Sequence, residues 1–140
     1  MKPCVVDASV VAAAFFHEEH AEPACALIVS GRELHAPDLI YAEVGNVIWK
    51  HQKRREIDEN EASQLLADFL GLPLKTTPDS LLIEHAMKLA VATGQTVYDS
   101  LYLALAVTAG SVLVTADRRL VHALTDGPLA NRILHIAEYR

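Results

Sequence analysis

Short apolar runs alternate with helical stretches along this chain, and the first such run ends on an aspartate. Lys2-Pro3-Cys4-Val5-Val6 stops at Asp7-Ala8-Ser9, and a helical pattern follows from Val10. A β-branched run this short suits a strand buried on both faces, although its periodicity alone does not separate it from a buried helix. Alternation of this kind predicts a parallel sheet with helices on both faces. It sets a carboxylate where a buried strand ends and a helix begins, which is the edge where open α/β sheets bind ligands. An acid there is costly to bury unless something positive meets it.

Ser9 can cap a helix from about Val10 to Phe16, and a second helical stretch runs from about Glu22 to Ser30 with Gly31 as its end. Glu33 to Ala36 is a second strand candidate. Pro37 and Asp38 open a helix to about Lys50, with Ile40, Val44, Val47 and Ile48 as its apolar stripe and Glu43 at the edge of that stripe. Asp58-Glu59-Asn60-Glu61 resembles a capping box, followed by an apolar face at Leu65, Leu66, Phe69 and Leu70 and a stop at Gly71. Leu72 to Lys75 is a third strand candidate. Thr77-Pro78 begins the next helix, with Ile83, Ala86, Met87 and Ala90 facing the core and Gly94 past its end. From Leu101 to Ala109 the chain is apolar nearly all round, which predicts a buried helix with Asp99 in its first turn and Gly110 as its stop. Ser111 to Thr115 is a fourth strand, Arg118 to Leu124 is helical, and Asn131 to Ile136 is a fifth strand.

A chain of 140 residues that is 51% hydrophobic and 21% charged is globular rather than disordered, and one domain spanning 1–140 can bury a full core. No apolar run is long enough for a membrane span, and the first residues do not form a signal peptide. Cys4 and Cys25 read as two buried thiols in a reducing cytoplasm. A net charge of −6 argues against a general nucleic-acid coat but leaves a local site open.

Of the eighteen acids, most fall on solvated helix faces, and four do not. Asp7 and Asp117 follow strand ends, Asp99 begins the buried helix, and Glu43 flanks a core stripe. In a parallel α/β sheet, strand C-termini and helix N-termini share one edge, so the four can converge. Like charges brought together either share protons or bind cations. Hard oxygen donors without clustered cysteine suit Mg²⁺ or Mn²⁺. Such ions would clamp an in-line phosphoryl displacement and make water the nucleophile. Each of Asp7, Asp99 and Asp117 is equally readable as a helix cap.

Val5-Val6-Asp7-Ala8-Ser9-Val10, Ala42-Glu43-Val44-Gly45-Asn46-Val47, the run from Thr96 to Ala106 and Leu113-Val114-Thr115-Ala116-Asp117-Arg118-Arg119-Leu120 resemble the successive motifs of the PIN domain, most closely the VapC-type toxins of toxin–antitoxin pairs. The resemblance runs from Met1 to about Ile136. It implies a three-layer α/β/α fold around a parallel sheet of about five strands. It also implies a metal-dependent ribonuclease in which Asp7, Glu43, Asp99 and Asp117 bind Mg²⁺ or Mn²⁺. Ser9, Asn46 and Thr115 match supporting polar positions. The implied partners are an RNA substrate, a cognate antitoxin and a second copy of the chain, in the cytoplasm. The family chemistry leaves a 5′-phosphate and a 3′-hydroxyl.

Lys50, Lys53, Arg54 and Arg55 form the only basic cluster and can steer an RNA backbone, as can Arg118 and Arg119; a solvated surface is the alternative for both. His17 and His20 read as a solvated turn rather than a zinc site, and no histidine stands out as a general base. Trp49, Tyr98 and Tyr102 are core or interface residues before they are base-stacking ones. Two other classes compete with a nuclease. A receiver domain has the same acidic edge, but Lys75-Thr76-Thr77 follows the third strand where a phosphorylated Asp belongs, and no Lys follows the fifth. A non-cutting PIN-like module would bind RNA or a partner without hydrolysis.

Overall fold

The computed structural model describes residues 1–139. Five strands, β1 (Cys4–Val6), β2 (Leu34–Pro37), β3 (Leu74–Thr77), β4 (Leu113–Thr115) and β5 (Ile133–His135), form one sheet in the order β3-β2-β1-β4-β5. All four pairings are parallel. The helices are α1 (Ala8–Phe15), α2 (Ala21–Ile28), α3 (Leu39–Lys53), α4 (Glu59–Leu70), α5 (Asp79–Thr93), α6 (Val97–Thr108) and α7 (Arg118–Leu124).

Successive residues of a strand face opposite sides, and β1 shows what that does at the centre of a sheet. Val5 joins one core with Ala36, Leu113 and residues of α3, α5 and α6. Cys4 and Val6 join a second core with Leu34, Val114 and residues of α1 and α2. The three-layer α/β/α arrangement follows. Of the run 101–109 expected to be buried, residues 101–106 are, within α6, while Val107 is half-buried and Thr108 and Ala109 are exposed at the helix end. From β1 the chain builds outward to β3, then crosses to β4 on the other side. The C-terminal ends of β1 and β4 therefore flank a topological switch point, where loops part and leave a crevice. No helix among the described residues is long and apolar enough to cross a membrane.

Several local expectations need correction. Helix α1 starts at Ala8 and is capped by Asp7, whose carboxylate accepts from the Ser9 N–H; Ser9 is not the cap. Strand β3 lies at Leu74–Thr77 rather than 72–75, and Pro78 is the N-cap of α5, not its first turn. Helix α5 turns Leu82 and Ala86 inward and leaves Ile83 and Met87 exposed. Leu66 and Leu70 of α4 are likewise exposed. Cys25 lies on the outer face of α2, because Ala24 and Leu27 take the inner one. The capping box Asp58–Glu61 forms as read, and Gly94 and Gly110 adopt the left-handed backbone that ends a helix without a Cβ penalty.

Candidate active site

Asp7 leaves β1 at the crevice and is 8% exposed. Its Oδ1 accepts from Ser9 Oγ at 2.5 Å, and its Oδ2 accepts from Thr115 Oγ1 at 2.5 Å. A hydroxyl has one proton to give. With both protons spent on Asp7, the 3.2 Å approach of Ser9 Oγ to Thr115 Oγ1 is a contact between two acceptors. Each acceptor is in turn used: Ser9 Oγ takes the Ala116 N–H at 2.9 Å, and Thr115 Oγ1 takes the Asp117 N–H at 3.0 Å. Ser9 and Thr115 thus tie the β1 and β4 ends together through Asp7. Burial outweighs these bonds and pushes the Asp7 carboxyl up to about 6, with the charge of Glu43 adding to it.

Glu43, on α3, is half-buried. Its Oε1 accepts from Tyr102 Oη at 2.5 Å. Its carboxyl is raised by burial and by the charges of Asp99 and Asp79, with the Tyr102 bond pulling the other way. Burial and the Glu43 carboxylate push the Tyr102 phenol up, so it stays a neutral donor. Asp99 sits in the first turn of α6, where Thr96 accepts its backbone N–H at 3.1 Å. The Asp99 carboxyl is raised by burial and then by Asp117, and lowered by Arg119. Asp117 caps α7 through the N–H groups of Arg119 and Leu120. Asp7 and Asp117 are therefore caps as well as members of the acidic line; Asp99 is not a cap.

The structure brings these four carboxylates into one chain of mutual repulsion: Glu43 acts on Asp7, Asp99 on Glu43, and Asp117 on Asp99. Their donors are all oxygen, which suits a hard divalent cation. The carboxylates of Asp7, Glu43 and Asp117 are each engaged by a local donor, and among the described residues no three His, Cys, Asp or Glu side chains are grouped to hold an ion.

Asn46 lies exposed one turn past Glu43 and makes no hydrogen bond to it; Tyr102 is the residue that orients Glu43. Tyr102 is buried, so base stacking is closed to it. Lys50 and Arg54 line a cavity of about 360 Å³ that reaches Ser9. Lys53 instead lies 5.0 Å over the ring of Trp49, and Arg55 takes the left-handed turn after α3. Arg118 and Arg119 line a cavity of about 280 Å³ with Asp117, Glu18, Glu19 and His20. His17 is exposed in a turn as read, whereas His20, also in a turn, has a side chain only 17% exposed. Sequence reasoning also missed His135, which is buried beneath this cavity and was read only as part of a strand. A polar residue inside an otherwise apolar strand was the available signal.

A parallel α/β sheet with acids at its switch point defines a class of ligand-binding α/β domains that holds several families. Comparison with known proteins narrows the class. The PIN domain family profile matches residues 4–124. The chain belongs to the PIN domain family. It is similar to Ribonuclease VapC3 of Pyrobaculum aerophilum, with 41% identity over 118 residues, 83% of this chain and 90% of that one. The crystal structure of PAE2754 from Pyrobaculum aerophilum superposes with a TM-score of 0.71 at 28% identity, covering 96% of this chain and 84% of the other. VapBC2 from Rickettsia felis, solved bound to a DNA fragment from its promoter, shares the fold at a TM-score of 0.62 and 14% identity, covering 96% and 98%.

Proposed function

We propose that this chain is a divalent-metal-dependent endoribonuclease and the toxin of a toxin–antitoxin pair. The observation that carries the reading is the line of four carboxylates at the β1/β4 switch point, each raised by, or raising, its neighbour. Asp7, Glu43, Asp99 and Asp117 would hold Mg²⁺ or Mn²⁺. When bound, the cation supplies positive charge to the phosphodiester and acidifies water. The protein's own groups do the rest. Ser9 and Thr115 fix both oxygens of Asp7, and Tyr102 fixes Glu43. Lys50, Arg54, Arg118 and Arg119 flank the acids and would take the phosphates on either side of the cut. Hydrolysis adds water across one P–O bond of the strand, leaving a 5′-phosphate and a 3′-hydroxyl.

The similarity to a protein named Ribonuclease VapC3 supports the activity, and the fold shared with a VapBC pair supports an antitoxin as partner. An apolar cavity of about 520 Å³ beside Phe15, Phe16, Ile57 and Leu65 offers that partner a seat. Exposed Leu81 and Val91 on α5 and Tyr98 on α6 favour a homodimer, which sedimentation would test. A cytoplasmic location goes with this reading.

The test is cleavage of total cellular RNA by purified protein in Mg²⁺ or Mn²⁺ and in EDTA, beside Asp7→Asn and Asp99→Asn. Discrete internal cuts that need metal and vanish in both variants are expected. Cuts surviving in EDTA or in the variants would overturn the acidic-site reading. RNA binding without any cleavage would favour the non-cutting module.

A further inference from the structure

We propose that His20 and Arg118 together hold one RNA phosphate next to the one being cut, and that buried His135 positions His20 for it. This rests on the ribonuclease reading above.

The local fold does not account for a histidine at position 20. Its backbone is left-handed, at φ 71° and ψ 18°, a conformation that is strained for a non-glycine residue. It occupies the N-cap of α2 yet makes no side-chain capping bond, and Ser, Thr, Asp or Asn would serve that position better. The ring is instead turned under the cavity that opens on Asp117. There its Nε2 lies 3.5 Å from Arg118 Nη2 and 3.5 Å from Glu19 Oε1.

His135 holds the ring in that direction. It packs against His20 edge-to-face, with centroids 4.8 Å apart and planes at 82°. Its Nδ1 accepts the Ala137 N–H at 3.1 Å, so its proton is on Nε2, which donates to the Ala116 carbonyl at 3.3 Å. Both nitrogens are committed, and burial holds the ring neutral. One buried side chain thus fixes the turn that carries Asp117 and the ring that faces Arg118.

In this contact Arg118 Nη2 donates to His20 Nε2; a phosphate oxygen that displaced it would accept from the guanidinium and from a ring N–H together. The anion now nearest is Glu19, on a side chain 85% exposed and free to be displaced. The pocket leads to the acids through Asp117, and Arg119 beside it is close enough to lower Asp99. A strand with its scissile phosphate at the acids would run its neighbouring phosphate onto His20 and Arg118.

The test measures binding of a short single-stranded RNA in EDTA across a salt series, with cleavage in Mg²⁺ measured separately. His20→Gly removes the ring while relieving the backbone. It and Arg118→Ala should each weaken binding ~10-fold. Arg118→Ala should also lower the slope of log affinity against log salt by about 0.7. The double variant should be no weaker than the worse single one, because one phosphate is shared. His135→Gln should weaken RNA binding in EDTA as His20→Gly does, and should weaken it no further in the His20→Gly background. If it fails to fold, the two surface variants still decide. Wild-type affinity and slope in both, with the parent still cleaving, would overturn the clamp and leave the pocket to a protein partner. Additive losses would overturn the shared phosphate. A parent that neither binds nor cuts RNA would remove the ribonuclease reading, and this one with it.

Discussion

The two ends of the same sheet treat charge in opposite ways. At the strand N-termini, Lys2, Arg32 and Arg132 surround a cavity of about 540 Å³. Arg32 Nη1 donates to the Lys2 carbonyl at 2.6 Å, and its guanidinium lies 5.2 Å over Tyr139. Arg132 Nη1 donates to the Ser111 carbonyl at 3.3 Å. Two of these cations, Arg32 and Arg132, donate to backbone carbonyls and tie the chain together there. At the strand C-termini Asp7, Glu43 and Asp99 each feel a neighbouring carboxylate's charge and are held above their ordinary values. An edge whose charges are matched locally is structural. An edge that carries unmatched like charge is costly and stores the capacity to bind a cation.

Substitutions at the two ends should separate sharply. Asp99→Asn is expected to lower RNA cleavage more than ~100-fold, beyond the loss typical of an outer partner; Arg132→Ala should leave the cleavage rate unchanged. Comparable losses from both in a single-turnover assay would erase the distinction between the ends.

The acidic edge should also be destabilising in itself. Holding the Asp7 carboxyl up at about 6 costs the ionised folded state about 3 kcal/mol at neutral pH. The folded form keeps its proton to higher pH than the unfolded form does. Stability is therefore greatest below the ordinary aspartate range and falls as pH rises through about 6. Asp7→Asn should raise stability by about 1–3 kcal/mol at pH 7.5, a gain of several degrees in Tm, and by little at pH 4. Denaturant melts of both proteins in EDTA at the two pH values measure this directly; an equal gain at both would refute it.

Tyr102→Phe takes from half-buried Glu43 its one neutral donor. It should cost about 1–2 kcal/mol of stability and ~10-fold in cleavage, and a rate equal to the parent's would show that Glu43 needs no orienting. Arg32→Ala at the opposite end should cost about 1 kcal/mol, read by melting, with no dependence on added Mg²⁺. The parent, by contrast, should melt higher in Mg²⁺, by about 2.7 kcal/mol at a hundred times its Kd, and Asp99→Asn should lose that response.

The candidate site was readable because its proposed members stand at breaks in strong patterns. Asp7 ends a β-branched run, Asp117 follows another, and Asp99 opens the stretch that is apolar all round. Glu43 was readable as the polar edge of an apolar stripe. Its partner was not, because Tyr102 within that apolar stretch reads as core, and it is core everywhere except at its hydroxyl. Asn46 entered as a supporting residue only through the family resemblance; facing solvent, it makes no bond to Glu43.

Local sequence determined the alternation of strands and helices, the capping box at Asp58, the glycine stops and the order of the four acids. These depend on neighbours within a turn or a strand, so short-range chemistry suffices. Only the tertiary structure decided which of two apolar stripes α5 buries, since both satisfy the helical period and the choice falls to packing. It also decided that Ser9 and Thr115 share Asp7 across 106 residues of chain, and that His20 meets His135 and Arg118. Those contacts exist because β1, β4 and β5 lie side by side, a long-range pairing that no window of sequence contains.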